Sequence, residues 1–162
     1  MPPSSDHLRA PSWRRVEVGL IETARRLRAA FDARLAPLDL NLSQASLLAF
    51  VTDFGDRSQT ALAEMVGLGR AATGTMIDQL EARGLVTRTP DPEDRRVWLV
   101  SITDAGRVLV ERFYDIDAGF QKVIRRDISR AERQQLATLL QRIGHNIDAA
   151  LIAPDSQVLN NP

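Results

Sequence analysis

The chain has 162 residues and no cysteine. Disulfides, thiolate nucleophiles, cysteine metal ligands and thiol-based peroxide sensing are therefore excluded. A reducing, cytoplasmic setting fits that absence. Lysine is nearly missing too: Lys122 is the only one, so almost all the positive charge is arginine. The only histidines, His7 and His145, are far apart, so no metal site is expected. Neither sign of charge is in excess, with 21 Lys and Arg against 21 Asp and Glu. The basic balance common among nucleic-acid binders is absent, and such a function would have to rest on local arrangement. No apolar run approaches the ~20 residues that span a bilayer. The stretch "MPPSSDHLRAPSW" lacks the apolar core of a signal peptide, so no membrane partner is expected.

What remains is ordinary for a soluble globular chain: 44% hydrophobic and 26% charged residues. The length suits one domain with a real core. Residues 1–12 read as a polar arm and 153–162 as a tail after the helix-ending Pro154.

Between them the apolar spacing is mostly helical. Leu20, Ala24, Leu27, Phe31 and Leu35 form one stripe from about Trp13 to Pro37. Ser43 is placed to cap a second helix holding Ala45, Leu48, Ala49 and Val51. "DFGDRS" reads as a turn, and Ser58 caps a short helix over 59–66. Gly67-Leu68-Gly69 breaks it. Another helix runs from Arg70 to Arg83 and stops at Gly84. "LVTRT" and "RVWLVSI" are strand-like and make a hairpin with a charged tip. Thr103 then caps a long helix with Leu109, Phe113, Ile116, Phe120 and Val123 on one side. The capping box Ser129-Arg130-Ala131-Glu132 opens the last helix, striped by Leu136, Leu139, Leu140, Ile143 and Ile147.

Two short helices joined by a glycine-containing turn and followed by a hairpin make a winged helix-turn-helix. That motif sets its second helix in the DNA major groove. In the helix 70–83, Thr73, Met76, Ile77 and Leu80 face inward. Arg70, Ala71, Gly74, Thr75, Asp78 and Gln79 face outward. Small residues there let the helix sink into a groove about 12 Å wide. Gly74 costs about 0.5–1 kcal/mol of helix stability relative to alanine, which close approach to DNA would justify. Packing against a neighbouring helix is the alternative. Arg70 can fork onto a guanine edge or a phosphate, and Thr75 and Gln79 can reach a base or the backbone. At the hairpin tip, Arg95 suits a minor groove, whose negative potential attracts arginine. Arg96 is flanked by nearby Asp91 and Asp94, which precede it and whose carboxylates can brace the loop. The plainer reading is a solvated turn of mixed charge.

"QLEARGLVTR" and "DPEDRRVWLVSITDAG", in this order after a helix-turn-helix, resemble the MarR family of transcriptional regulators. The resemblance is close over about Leu42–Arg112. It implies a mainly α fold with a small β-hairpin wing, the winged helix-turn-helix occupying about 43–102. Helices at about 13–37 and 104–152 would form a dimerisation region within a single domain, 13–152. It further implies a homodimeric repressor of a nearby promoter, binding double-stranded DNA at a pseudo-palindromic operator and released by a small aromatic or anionic ligand. DNA contacts would come from Ser58, Arg70, Ala71, Gly74, Thr75, Gln79, Arg95 and Arg96, with Asp91 and Asp94 bracing the wing. A ligand would be lined by Trp13, Phe31, Phe50, Asp53 and Phe54, residues that otherwise serve as core and helix positions. The chain departs from the family's pattern at Gly69, where Ser or Asp often caps the recognition helix. Ala72 and Thr75 stand where Ser or Thr and an arginine are frequent, so the base-contact set is thin. Ile102 replaces a more frequent leucine.

No catalytic constellation stands out. "GLGRAATG" has glycines but no preceding strand and no lysine, so it is no phosphate loop. No cofactor and no enzymatic activity are expected. The alternative function is a dimeric protein–protein module that keeps the winged fold without binding DNA.

Overall fold

The structure is a computed structural model that describes residues 16–152. Six helices and three short strands follow in the order α1 (Val16–Leu35), α2 (Leu42–Phe54), β1 (Arg57–Ser58), α3 (Gln59–Val66), α4 (Arg70–Ala82), β2 (Val86–Pro90), β3 (Trp98–Ile102), α5 (Asp104–Ile124) and α6 (Arg130–Ile152). A 3₁₀ turn, Ala36–Leu38, follows α1 at Pro37. Trp13, His7 and the proposed arm and tail lie outside the described residues. The chain divides into two compact units between Ala118 and Gly119, inside α5.

The first unit holds the core. Leu35, Leu47, Leu48, Val51, Leu62, Ile77, Leu80, Val86, Val100 and Val110 are almost wholly excluded from solvent. Local signals set most of its boundaries. Ser58 accepts from the Ala61 amide at 3.3 Å and so caps α3. Thr103 accepts from the Gly106 amide at 3.1 Å and caps α5. At the end of α4, Leu85 donates to the Leu80 carbonyl and Gly84 to that of Glu81. This closure needs a left-handed residue, and Gly84 supplies it with φ of +68°.

Two expectations are corrected here. The cap of α2 is Asn41, not Ser43: Asn41 Oδ1 accepts from the Gln44 amide at 2.9 Å, and Gln44 Oε1 accepts from the Asn41 amide at 3.1 Å. That reciprocal pair starts the helix at Leu42. Ser43 instead accepts from Arg28 at 3.0 Å. The second correction is to the hairpin, which is part of a three-stranded antiparallel sheet of order β1-β3-β2. Two residues of the presumed turn, Arg57 and Ser58, pair with Val100 and Leu99.

The second unit comprises the end of α5 and all of α6. Ser129 and Glu132 form the expected capping box, with bonds of 2.8 and 3.2 Å. Both hydrogen bonds with Ser129 hold the Glu132 carboxyl below its ordinary range. No residue of α6 is buried.

Candidate nucleic-acid interface

The recognition helix α4 is fixed by one buried face. Thr73, Met76, Ile77 and Leu80 are buried as the spacing predicts, and Thr73 donates its hydroxyl to the Gly69 carbonyl at 3.2 Å. Arg70, Ala71, Thr75, Asp78 and Gln79 are exposed on the other side. Arg70 has no side-chain partner among the described residues. Thr75 donates back to the Ala71 carbonyl at 3.2 Å, which leaves its oxygen to accept. Ser58 lies at the start of α3, its oxygen engaged as a cap.

Gly74 has a neighbour inside the fold. A β-carbon there would come within 2.8 Å of Gln59 Nε2. Gln59 in turn donates to the Arg70 carbonyl at 3.2 Å. The glycine therefore admits the Gln59 side chain across α4, and this packing accounts for its small size without DNA. Beside it, Gln44 Nε2 donates to Gln79 Oε1 at 3.2 Å. Asn41 already fixes Gln44 Oε1 as an acceptor, so the Gln44 NH₂ must point at Gln79. Gln79 then presents its own NH₂ outward as a donor.

The wing is tied to α4 by a group that no local sequence pattern marks. Arg88 of β2 forms ion pairs with Asp78, at 2.5 Å, and with Glu81. Its backbone amide also donates to Glu81, at 3.1 Å. Burial pulls the Arg88 pKa down, but the bonds and charges of Asp78 and Glu81 outweigh it and raise the net value. Asp78, on the exposed side of the recognition helix, is thus neutralised. At the same C-terminal end of α4, Arg83 donates to the carbonyls of Asp39, at 2.5 Å, and Leu38, at 3.1 Å.

At the wing tip the aspartates hold backbone, not the Arg96 guanidinium. Asp91 accepts from the Glu93 amide at 2.8 Å, and Asp94 from the Arg96 amide at 3.0 Å. The loop closes with Asp91 donating to the Val97 carbonyl and Val97 to that of Asp94. A carboxylate two residues before an amide reaches it easily, and this short-range bond wins over a guanidinium on a flexible stem. Arg95 and Arg96 are both exposed, and neither guanidinium has a partner among the described residues.

A family model, described as MarR family, matches residues 38–97, from the turn before α2 through the wing tip. A curated relative, the uncharacterized HTH-type transcriptional regulator YdgJ of Bacillus subtilis (strain 168), is 33% identical over 109 residues. That match spans 67% of this chain and 66%, just under two thirds, of YdgJ. The chain belongs to the MarR family.

Solved structures agree. The transcriptional repressor CouR, bound to a 23-mer DNA duplex, is 31% identical, with a TM-score of 0.72 over 78% of this chain and 89% of that one. CouR from Rhodococcus jostii RHA1 has also been solved with p-coumaroyl-CoA, at 27% identity and a TM-score of 0.72 over 79% of this chain and 90% of that one. BpsR of Bordetella bronchiseptica, whose DNA binding is regulated by 6-hydroxynicotinic acid, is 27% identical with a TM-score of 0.73, covering 80% and 92%. The winged helix-turn-helix architecture expected of a MarR-family chain is the one observed.

The ligand candidates are only partly gathered. Phe50 and Phe54 meet on α2 with ring centroids 6.2 Å apart, and Phe54 is exposed. Asp53 accepts from Tyr114 of α5 at 2.6 Å, so this carboxylate already has a donor. Desolvation and then the Asp53 bond push the Tyr114 pKa up to about 12. Phe31 is buried in α1, and Trp13 is outside the described residues. A separate open depression of about 390 Å³ is lined by Asp32, Asp39, Asn41 and Gln44 at the α1–α2 junction, and no motif in the sequence marks it.

Proposed function

We propose that this MarR-family chain is a homodimeric, ligand-responsive transcriptional repressor that acts in the cytoplasm on a pseudo-palindromic operator. The observation that carries this is the distribution of arginine partners. Arg83 and Arg88, which fasten α4, are hydrogen-bonded within the fold. Arg70, Arg95 and Arg96, at the start of α4 and the wing tip, are exposed and have no side-chain partner among the described residues. Other exposed guanidinium groups, such as those of Arg25, Arg112 and Arg142, lie elsewhere on the chain, but these three stand where a recognition helix and a wing meet a duplex. Contacts would come from Ser58, Arg70, Ala71, Thr75, Gln79, Arg95 and Arg96. Gly74 lets Gln59 pack across α4, and Asp91 and Asp94 shape the tip.

Apolar exposure supports a second copy. In α1, Val18 is 61% and Ile21 70% exposed; in α6, Leu136 is 53% and Ile147 54% exposed. Such stripes on long helices are burial surfaces without a partner. Covering them with a second chain would set two recognition helices about one DNA turn apart. We place the effector among Trp13, Phe31, Phe50, Asp53 and Phe54, by analogy with CouR bound to p-coumaroyl-CoA and with the regulation of BpsR by 6-hydroxynicotinic acid. An effector would act by favouring one spacing of the recognition helices over another, and only to the extent that its affinity for the two differs.

The test is footprinting on the DNA flanking the chain's own gene. Two protected half-sites about one helical turn apart are expected. A folded dimer that protects no sequence at low salt would point to the protein–protein module instead.

A further inference from the structure

The wing carries one large residue that none of these contacts uses. Trp98 opens β3 and is 54% exposed. Strand pairing fixes the side of the sheet on which it stands. Val86 pairs with Ile102, Arg88 with Val100 and Pro90 with Trp98. Alternate pairs share a face, so these three rows point the same way. Val86, Val100 and Ile102 are buried, and Arg88 reaches Asp78 and Glu81 of α4 from this face. It is therefore the side of the sheet that looks toward the recognition helix. Because β2 starts at the C-terminal end of α4 and Arg88 reaches back to Asp78, the strand runs back along the helix. Trp98 lies one row further on, past the end of the core and just before Arg95 and Arg96.

From this we propose that Trp98 is a DNA-contacting residue, laying its indole against the sugar–phosphate backbone between the groove that α4 enters and the groove that the tip reaches. The proposal rests on the reading of the chain as a DNA-binding regulator. An indole is a flat apolar plate with one N–H donor that seeks an acceptor when covered. No described residue accepts from the Trp98 ring nitrogen. Deoxyribose offers the plate an apolar surface, and phosphate offers the donor an oxygen. The tip carries both signs of charge, but its two guanidinium groups, Arg95 and Arg96, have no partner among the described residues and can take phosphate, while the carboxylates of Asp91 and Asp94 are turned to loop amides. A polyanion fits that setting better than an apolar protein surface does.

The chain has two tryptophans, Trp13 and Trp98. In a Trp13→Phe variant, Trp98 is therefore the only indole reporter. This full-length variant is titrated with a fluorescein-labelled duplex of the DNA upstream of its own gene. Duplex anisotropy, indole emission and acrylamide quenching are followed together. Saturation is expected to change the emission and shield Trp98 from quencher, with the same midpoint as the anisotropy. Trp98→Ala should weaken binding about tenfold, as for loss of one aromatic contact. The salt slope should stay unchanged, because no charge is removed. Duplex binding with unaltered emission and quenching, and full affinity in Trp98→Ala, would overturn the proposal and leave the regulator reading standing. Shielding that follows protein concentration without DNA would also overturn it, by placing Trp98 in a contact between copies. A folded protein that binds no duplex would overturn both.

Discussion

The side-chain amide of Gln44 donates to the side-chain oxygen of Gln79, 3.2 Å away. Gln44 belongs to the capping box of α2, and Gln79 stands on the exposed side of α4. A helix start thereby decides which end of an exposed amide on α4 is offered outward. Gln44→Glu keeps the acceptor for the Asn41 amide but removes the donor to Gln79. Helix stability should change little, whereas duplex affinity should fall roughly fivefold for one lost hydrogen bond. Thermal melts beside anisotropy separate these effects. If Gln44→Glu and Gln79→Ala lose affinity additively, the two amides are not coupled.

Arg88→Ala should do two things at once. Removing the guanidinium leaves Asp78 and Glu81 on one helix face without a counter-charge; both carboxylates reach solvent, so the cost should be about 0.5–1 kcal/mol of unfolding free energy. Asp78 would then repel phosphate, so duplex binding should weaken beyond what the loss of stability explains. Arg88→Ala with Asp78→Asn should recover part of the binding loss; no recovery would place the defect in the shape of the wing.

The phenol of Tyr114 titrates with its pKa raised to about 12, because of desolvation and then the Asp53 carboxylate. The sign follows from the raised value. The neutral phenol is favoured in the folded state, so its stabilising effect is complete below the ordinary tyrosine value of about 10 and is lost as pH rises toward 12. This is the only tyrosine, so tyrosinate absorbance reports it alone. Asp53→Ala should bring the midpoint down toward 10. An unchanged midpoint would mean that burial alone raises it.

Gly106→Ala should disrupt the start of α5. An added β-carbon would lie 2.2 Å from the Leu85 carbonyl oxygen and 2.5 Å from Ile102 Cδ1. The same carbonyl accepts from Thr103 at 3.1 Å, so it has little room to move. Overpacking of this kind costs about 1–3 kcal/mol or more, readable as a lower urea midpoint. A wild-type midpoint would show that the strand–helix corner is loose.

The parts of this fold that could be read from the sequence are the parts determined over four residues or fewer. Ser58, Thr103 and the Ser129–Glu132 box cap the helices they precede, and Gly84 closes α4. The buried face of α4 follows from its 3.6-residue period. Asn41 and Ser43 carry equally good capping side chains two residues apart; the reciprocal bonds of Asn41 with Gln44 set the start, and Ser43 accepts from Arg28. Strand β1 is two residues long and exists only through its pairing with β3. The Arg88 pairs join residues seven and ten apart across two element types, and no local pattern announces them. Gln59 over Gly74 is invisible for the same reason. The unused face of the wing at Trp98 emerges only once the register is known.

The most direct test of the account is duplex binding over a salt series, by anisotropy, for the unaltered chain, Arg70→Ala and Arg95→Ala. Tight binding that weakens steeply with salt is expected, since phosphate contacts release counterions. Each variant should lose about 1–3 kcal/mol of binding if its arginine reads a base, or reduce the salt slope by about 1 if it contacts phosphate. Specific binding that neither substitution alters would contradict the placement of the interface. A folded dimer showing no salt-dependent duplex binding would contradict the DNA-binding function itself.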